Sequence, residues 1–143
     1  MDSDRRRVMF VCTHNSARSQ MAEGMLRAMG GDTFEVFSAG TEATGVRPEA
    51  IAVMDEIGID ISGHTSKSLA PFMGESFSWV ITVCDEAAEA CPTFPGAASM
   101  AHWSIPDPSA ADGALDARLE AFRAARDTIA DRVRQLVAAP EPG

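Results

Sequence analysis

The sequence predicts an α/β fold, a three-layer sandwich built on a mainly parallel four-stranded sheet. Short apolar runs alternate along the chain with segments of helical periodicity, the order expected when helices connect parallel strands. The first run, Val8–Cys12, is apolar at every position, which is typical of a strand buried on both faces. With 143 residues, 45% of them apolar, the chain is long enough for one domain with a sizeable core, which we assign to residues 1–143.

Seven elements are predicted. In order they are a strand at 8–12, a helix at 17–29, a strand at 34–38, a helix at 47–57, a strand at 79–84, a weaker strand at 100–105 and a helix at 115–137. The first helix rests on a methionine at every fourth position, Met21, Met25 and Met29, and Gly30-Gly31 mark its end.

Local sequence signals mark where the later helices and strands begin and end. Arg47-Pro48 opens the second helix, because proline fits the first helical position, and Gly58 supplies a stop. The fourth strand ends at the breaker run Pro106-Asp107-Pro108. The closing helix is expected to pack one face on the sheet, because apolar residues recur in it at helical spacing. These residues are Leu115, Leu119, Phe122, Ile129, Val133 and Leu136.

Charge, hydropathy and cysteine content indicate which partners and which compartment to expect. Twelve basic and 21 acidic residues give a net charge of −9, so we expect neither a nucleic acid nor a membrane as partner. No run approaches the roughly 20 apolar residues of a membrane-spanning helix, and we expect no signal peptide, because the first apolar run is too short. Three cysteines, an odd number, fit a reducing compartment, so we expect a cytoplasmic protein, and a monomer.

The loop after the first strand is the first place to look for chemistry, because parallel α/β sheets bind ligands at the carboxyl ends of their strands. Cys12 ends that strand and Arg18 begins the next helix. Backbone N–H groups at a helix start, the helix dipole and an arginine fork together suit a tetrahedral oxyanion such as phosphate or arsenate. The same positive field lowers the pKa of Cys12 and favours a nucleophilic thiolate. The predicted substrate-binding residues are Thr13, His14, Asn15, Ser16, Ala17, Arg18 and Ser19.

Two of these loop residues have more specific predicted roles. Ser19 is expected to donate a hydrogen bond to the Cys12 thiolate, and Asn15 to brace the loop from inside, since its amide both donates and accepts. The alternative is that Cys12 is a small buried hydrophobe and Arg18 a solvated helix residue.

Several short motifs occur together over residues 7–137. They are Cys12-x5-Arg18-Ser19 followed by Gln20-Met21-Ala22-Glu23-Gly24, then Ser38-Ala39-Gly40, His64-Thr65-Ser66, Cys84 with Cys91, and His102-Trp103 before Asp107-Pro108. In this combination the sequence resembles the thioredoxin-coupled arsenate reductases, a family that shares the fold of the low-molecular-weight tyrosine phosphatases.

The resemblance implies reduction of arsenate to arsenite by a relay of three thiols, in the service of arsenic detoxification. Cys12 would attack arsenate held by Arg18, while Asp107 protonates the departing oxygen. Cys84 would then attack Cys12, and Cys91 would attack Cys84. Thioredoxin, or a related thiol reductant, would reopen the resulting Cys84–Cys91 disulfide. The scheme requires no metal and no organic cofactor.

The spacing of Cys84 and Cys91 has a conformational consequence. The residues between them favour a helix, in which seven residues span roughly 10 Å, whereas a disulfide needs Cα atoms within about 7 Å. Oxidation is therefore expected to unwind the segment. The alternative is a pair of unrelated core thiols.

Three positions depart from the pattern of the family, and one of them, Ala17 where many members carry a further cysteine, removes only a competing thiol. His14 stands where a loop glycine is expected, and either fits the turn or narrows the mouth of the pocket. Some members bind potassium near the loop through residues matching Asn15, Glu23 and Ser38, plus an aspartate where this chain has Lys67. We expect that the Lys67 ammonium replaces the ion or that the site is absent.

Two other functions compete with this one. A low-molecular-weight phosphatase would use Cys12, Arg18 and Asp107 on phosphotyrosine or a small phosphate ester. Against it, Ser109-Ala110 stand where the tyrosine phosphatases carry aromatic residues, so only weak phosphatase side activity is expected. A non-catalytic oxyanion sensor would come with a DNA-binding segment, and the sequence predicts none.

Overall fold

A computed structural model describes residues 6–12, 15, 17–42, 44–72, 74–83, 97–105, 108 and 113–138. Within these ranges the elements are β1 (Arg6–Cys12), α1 (Arg18–Gly30), β2 (Phe34–Gly40), α2 (Pro48–Asp55), β3 (Phe77–Thr82), β4 (Ala97–His102) and α3 (Leu115–Ala138). Short 3₁₀ turns lie at Gly31–Thr33 and Ala70–Phe72. All seven predicted elements are therefore present, with shifted boundaries.

The four strands found in the described ranges form one parallel sheet in the order β2-β1-β3-β4. β1 lies inside the sheet and pairs with β2 from Arg6 opposite Phe34 to Cys12 opposite Gly40. Its other edge pairs with β3. Residues 8–11 are fully buried, which confirms that the unbroken apolar run is a strand covered on both faces. The predicted α/β fold with a four-stranded parallel sheet is confirmed.

Two strands lie earlier in the chain than the sequence predicts. β3 begins at 77 rather than 79, and β4 begins at 97 rather than 100. β4 is hard to delimit from sequence because the buried apolar residues Trp103 and Ile105 follow it. They are buried outside the strand, and the Trp103 ring packs against Phe10 with the ring centroids 5.5 Å apart. Burial and strand pairing therefore end at different residues.

The second helix is shorter than predicted. α2 ends at Asp55 rather than near Ile57, because the chain turns back on the carbonyl of Met54. That oxygen accepts hydrogen bonds from the backbone N–H of Ile57 at 3.1 Å and of Ile59 at 3.0 Å. Gly58 lies between them with φ of 79°, a conformation that glycine adopts without strain, so the predicted stop signal is confirmed.

The closing helix α3 buries most of its predicted apolar face, but it packs mainly against α1 and α2 rather than on the sheet as predicted, and Leu115 at its start is 54% exposed. Phe122, Ile129 and Val133 of α3 are fully buried. Gly24 lets α1 approach the segment after α2 closely, because a Cβ atom at this position would lie 2.7 Å from the Ile61 side chain. No helix in the described ranges combines the length and apolar character needed to span a bilayer.

Candidate active site

Cys12 lies where the sequence predicts, at the carboxyl end of β1. The residue is 3% exposed and sits opposite Gly40 of β2 in the sheet. Its carbonyl oxygen accepts a hydrogen bond from the backbone N–H of Thr41 at 3.3 Å. The sheet therefore fixes the backbone of the candidate nucleophile on the β2 side.

Arg18 is the first residue of α1 and is only 6% exposed. Its Nη1 donates a hydrogen bond to the carbonyl oxygen of Ile105, at 2.9 Å. A solvated helix residue would be neither buried nor bonded to a residue 87 positions away, so the alternative is wrong for Arg18. Cys12 is buried, as both interpretations of that residue allow. The contact also links the start of α1 to the chain segment that leads toward Asp107.

The start of α1 has the electrostatics of an anion site. Its first turn carries no acidic residue, and Ala17 at the cap position provides no side-chain hydrogen bond. The helical ladder begins with the Met21 N–H, which donates to the Ala17 carbonyl at 2.9 Å. Because the first N–H groups of a helix have no partner within it and lie at the positive end of the dipole, this end favours an oxyanion.

Asn15 braces the loop as predicted. It is fully buried and adopts φ of 51°, the left-handed region that asparagine tolerates better than most residues. Its Nδ2 donates to the hydroxyls of Ser19 at 2.8 Å and Ser38 at 2.9 Å. Its Oδ1 accepts the backbone N–H of Lys67 at 2.8 Å. Because Ser19 accepts from Asn15, its own hydroxyl proton is left to donate elsewhere, as the predicted bond to Cys12 requires.

Gln20 is a functional residue whose role sequence reasoning missed. Its side chain is fully buried, and Nε2 lies 3.0 Å from three oxygens: the carbonyl and Oδ1 of Asn15 and the carbonyl of Thr65. Its Oε1 lies 3.0 Å from Nδ1 of His64. The available signal was a run of polar residues inside an amphipathic helix, since Ser19 and Gln20 are buried beside apolar neighbours.

A buried carboxylate ends the same network. The Ser38 hydroxyl donates to Oε1 of Glu23, which is 3% exposed. The other carboxylate oxygen of Glu23 forms a salt bridge with Arg27 at 2.6 Å. Arg27 also donates to the carbonyl of Val36 at 2.9 Å. Asn15 is thus connected through Ser38 to an ion pair on α1.

The surroundings of His64 favour its neutral form. Since the Gln20 nitrogen acts as donor, its Oε1 accepts and Nδ1 of His64 carries the proton, an assignment that follows from the network. Burial lowers the pKa of His64 below 6.5, and the charge of Glu23 opposes that effect. The charges of Arg27 and Lys67 lower the pKa further. In this network the ring donates from Nδ1 to Gln20.

The structure brings five of the predicted site residues together at one end of the sheet. They are Cys12, Asn15, Ala17, Arg18 and Ser19. The others lie outside the described residues, namely Thr13, His14, Ser16, Cys84, Cys91 and Asp107. In the part of the chain that the structure describes, no cluster of three or more histidine, cysteine, aspartate or glutamate side chains is arranged to hold a metal ion.

Comparison with known proteins gives consistent results. Residues 7–141 match the low molecular weight phosphotyrosine protein phosphatase family. An arsenate reductase of Halalkalibacterium halodurans is 42% identical over 127 residues, which are 89% of this chain and 91% of that protein. A solved arsenate reductase in a phosphate-binding state has a TM-score of 0.81 at 38% identity, covering 94% of this chain and 98% of its own. A thioredoxin-dependent arsenate reductase of Corynebacterium glutamicum has a TM-score of 0.73 at 26% identity, covering 97% of this chain and 63% of its own.

The parallel sheet, the strand-end cysteine and the buried arginine at the start of α1 define a protein of the low molecular weight phosphatase class. The chain belongs to the low molecular weight phosphotyrosine protein phosphatase family. Within that family, relatives at 42% and 40% identity over about nine-tenths of the chain group it with the arsenate reductases. The resemblance inferred from the sequence motifs is confirmed.

Proposed function

We propose that this protein reduces arsenate to arsenite. The observation that carries the proposal is the buried guanidinium of Arg18 at the start of α1. A single short loop connects it to Cys12, which ends β1. An oxyanion bound there would lie beside a sulfur nucleophile. The arsenate reductases at 42% and 40% identity support arsenate as the oxyanion.

The first step in this proposal is binding and attack. The backbone N–H groups of residues 13–19 and the Arg18 fork hold arsenate, with Nη1 already occupied by the Ile105 carbonyl. The positive end of α1 favours the thiolate form of Cys12. The thiolate attacks arsenic, Asp107 donates a proton to the departing oxygen, and water leaves from a covalent Cys12 adduct.

Two electrons then come from sulfur. The Cys84 thiolate attacks the Cys12 sulfur, the sulfur–arsenic bond breaks, and its electron pair stays on arsenic, which leaves as arsenite. Cys91 next attacks Cys84 and releases the Cys12 thiolate, so the oxidising equivalents end in a Cys84–Cys91 disulfide. Reduced thioredoxin returns the two electrons, as the thioredoxin-dependent relative from Corynebacterium glutamicum suggests. The relay requires free thiols, which fits the cytoplasm.

The decisive experiment follows NADPH consumption with arsenate, thioredoxin and thioredoxin reductase. Cys12→Ser, Cys84→Ser and Cys91→Ser are each expected to abolish multiple turnover. Cys91→Ser retains a single turnover, which peptide mapping detects as a Cys12–Cys84 disulfide. Normal multiple turnover by Cys91→Ser would contradict the relay, whereas loss in Cys12→Ser alone would leave arsenate reduction with a different reductant.

The family match favours a second candidate, a phosphatase reaction through the same loop. Attack by Cys12 and protonation by Asp107 also cleave a phosphate ester, with water hydrolysing the cysteinyl-phosphate afterwards. We expect slow hydrolysis of p-nitrophenyl phosphate that disappears in Cys12→Ser and persists in Cys84→Ser. Efficient ester hydrolysis without arsenate turnover would make phosphatase the principal activity.

A further inference from the structure

Lys67 is the only lysine among the 143 residues, and it lies in the network that braces the candidate site. Its backbone N–H donates to Oδ1 of Asn15 at 2.8 Å, and its carbonyl accepts the N–H of Gly40 at 2.8 Å. Its ammonium nitrogen donates to the carbonyl of Thr65 at 2.6 Å. Both the backbone and the charged end of Lys67 are therefore fixed beside the loop.

A cavity of about 370 Å³ opens next to this lysine, and Glu23, Arg27 and Lys67 contribute its charged lining. Glu23 is buried and accepts hydrogen bonds from Ser38 and Arg27, whereas the Arg27 side chain is 50% exposed. The charges of all three lining residues act on His64. A carboxylate removed from water needs compensating positive charge nearby. Here the side chains of Arg27 and Lys67, which line the same cavity as Glu23, provide that charge.

The carboxylate matters for the loop because it sets the direction of a hydrogen-bond chain. The Ser38 hydroxyl accepts from Asn15 and donates to Glu23. Because the Ser38 proton goes to Glu23, the Ser38 oxygen accepts one N–H of the Asn15 amide. The other N–H of that amide holds Ser19, and Asn15 itself forms the left-handed turn of the loop. The positive charge around Glu23 thereby supports the geometry of the candidate site.

The family resemblance implies that some members bind potassium near this loop, with an aspartate at the position of Lys67. The residues of this chain do not fit such an ion. A bound ammonium at position 67 contributes one positive charge where a carboxylate ligand would be needed, and it already occupies the Thr65 carbonyl. Carbonyl and carboxylate oxygens are the ligands of a hard cation, and an ammonium repels it.

We propose that the Lys67 ammonium, together with Arg27, is the built-in cation of this network, so that the loop is braced without a bound monovalent metal ion. An ammonium is a compact point charge with three donors, which suits a carbonyl-lined position better than a guanidinium fork does. Lys67 is therefore a positioning residue whose ammonium acts through the Thr65 carbonyl and through its charge beside Glu23. The kinetic consequence rests on the proposed function, whereas the consequence for stability does not.

The test is thermal unfolding of the full chain in potassium, sodium and choline chloride at equal ionic strength. The wild-type melting temperature is expected to be the same, within about 1 °C, in all three salts. Lys67→Asp restores a carboxylate at this position and is expected to melt about 2 °C or more higher in potassium than in choline. Lys67→Met is expected to melt lower than wild type in every salt, without ion selectivity.

The matched control is Arg132→Asp, which makes the same change in charge on an exposed position of α3. It is expected to show no potassium-specific shift. A potassium-specific rise in the wild-type protein, or none in Lys67→Asp, would overturn the proposal.

Arsenate turnover provides a second readout. We expect the wild-type rate to be the same in potassium and sodium, and the rate of Lys67→Asp to be several-fold higher in potassium. If the protein shows no arsenate turnover at all, the melting temperatures still decide the question.

Discussion

Two polar clusters in this molecule contain similar hydrogen bonds but have different roles. The first surrounds Asn15, which is fully buried and ties the loop to α1, β2 and the segment at 64–67. The second joins α2 to α3. There, Glu56 accepts hydrogen bonds from Arg123 at 2.8, 3.0 and 3.1 Å and from Arg126 at 2.9 Å, with its side chain 39% exposed.

Burial decides what each cluster does. Removing a partner in the Asn15 cluster leaves a buried donor or acceptor unsatisfied, which costs about 1–3 kcal/mol for each group. Around Glu56, water takes the place of a lost partner, and exposed ion pairs contribute little. The buried cluster should therefore control the geometry of the candidate site, and the exposed cluster only the docking of two helices.

The largest difference is expected from the same substitution in each region. Arg18→Lys keeps the charge but loses the fork that contacts Ile105, so kcat/KM for arsenate should fall about 10²–10³-fold. Arg123→Lys loses the fork that contacts Glu56 in the exposed cluster, so the melting temperature should fall slightly while kcat/KM stays within about twofold. Equal kinetic losses in the two variants would contradict this division of roles.

A smaller effect is expected from Gln20→Leu, which has nearly the same shape but no hydrogen-bonding groups. It leaves His64 Nδ1 and the Asn15 carbonyl without the Gln20 partner, while the Thr65 carbonyl keeps its bond from Lys67. The free energy of unfolding in urea should therefore fall by about 2–4 kcal/mol. Iodoacetamide should also alkylate Cys12 more slowly near pH 7, measured in a Cys84→Ser/Cys91→Ser background, because the loop that stabilises the thiolate is no longer held.

The control for this variant is Gln135→Leu, an exposed glutamine of α3. It should change the free energy of unfolding by no more than about 0.5 kcal/mol. If Gln20→Leu destabilises the protein but leaves the alkylation rate unchanged, Gln20 contributes to stability alone.

The smallest effect, and one confined to acid pH, is expected at Glu56. The hydrogen bond from Arg123, with a further one from Arg126, lowers the pKa of Glu56 from 4.5 to about 2. A carboxyl whose pKa falls on folding stabilises the protein fully above pH 4.5, and this contribution is lost as the pH falls through about 2. Glu56→Gln should therefore melt below wild type at pH 7, and the two melting curves should converge on acidification. A constant difference down to the lowest accessible pH would place its origin elsewhere.

The sequence predicts those features whose cause is local. The apolar run of β1, the methionine spacing of α1 and the stop at Gly58 all depend on neighbouring residues, and they are found where expected. Cys12 and Arg18 share one short loop, so their proximity follows from six residues of spacing.

The missed features depend on contacts whose distant partner the sequence does not identify. Gln20 bonds to a residue 45 positions away, Asn15 to one 52 positions away and Arg18 to one 87 positions away, and in each pair the distant partner is a backbone group. Any residue can supply a carbonyl or an N–H, so no side-chain pattern announces it. Boundaries such as that of β4 are missed because burial continues where strand pairing stops.

The single lysine has a practical consequence for anyone who handles this protein. Amine-reactive dyes and sensor surfaces couple to the α-amino group and to the Lys67 side chain, and Lys67 lies beside the loop. Thiol-reactive labels meet the three cysteines instead. Attachment through an affinity tag avoids both, and a comparison of tagged with amine-coupled protein separates loss of activity by labelling from loss by unfolding.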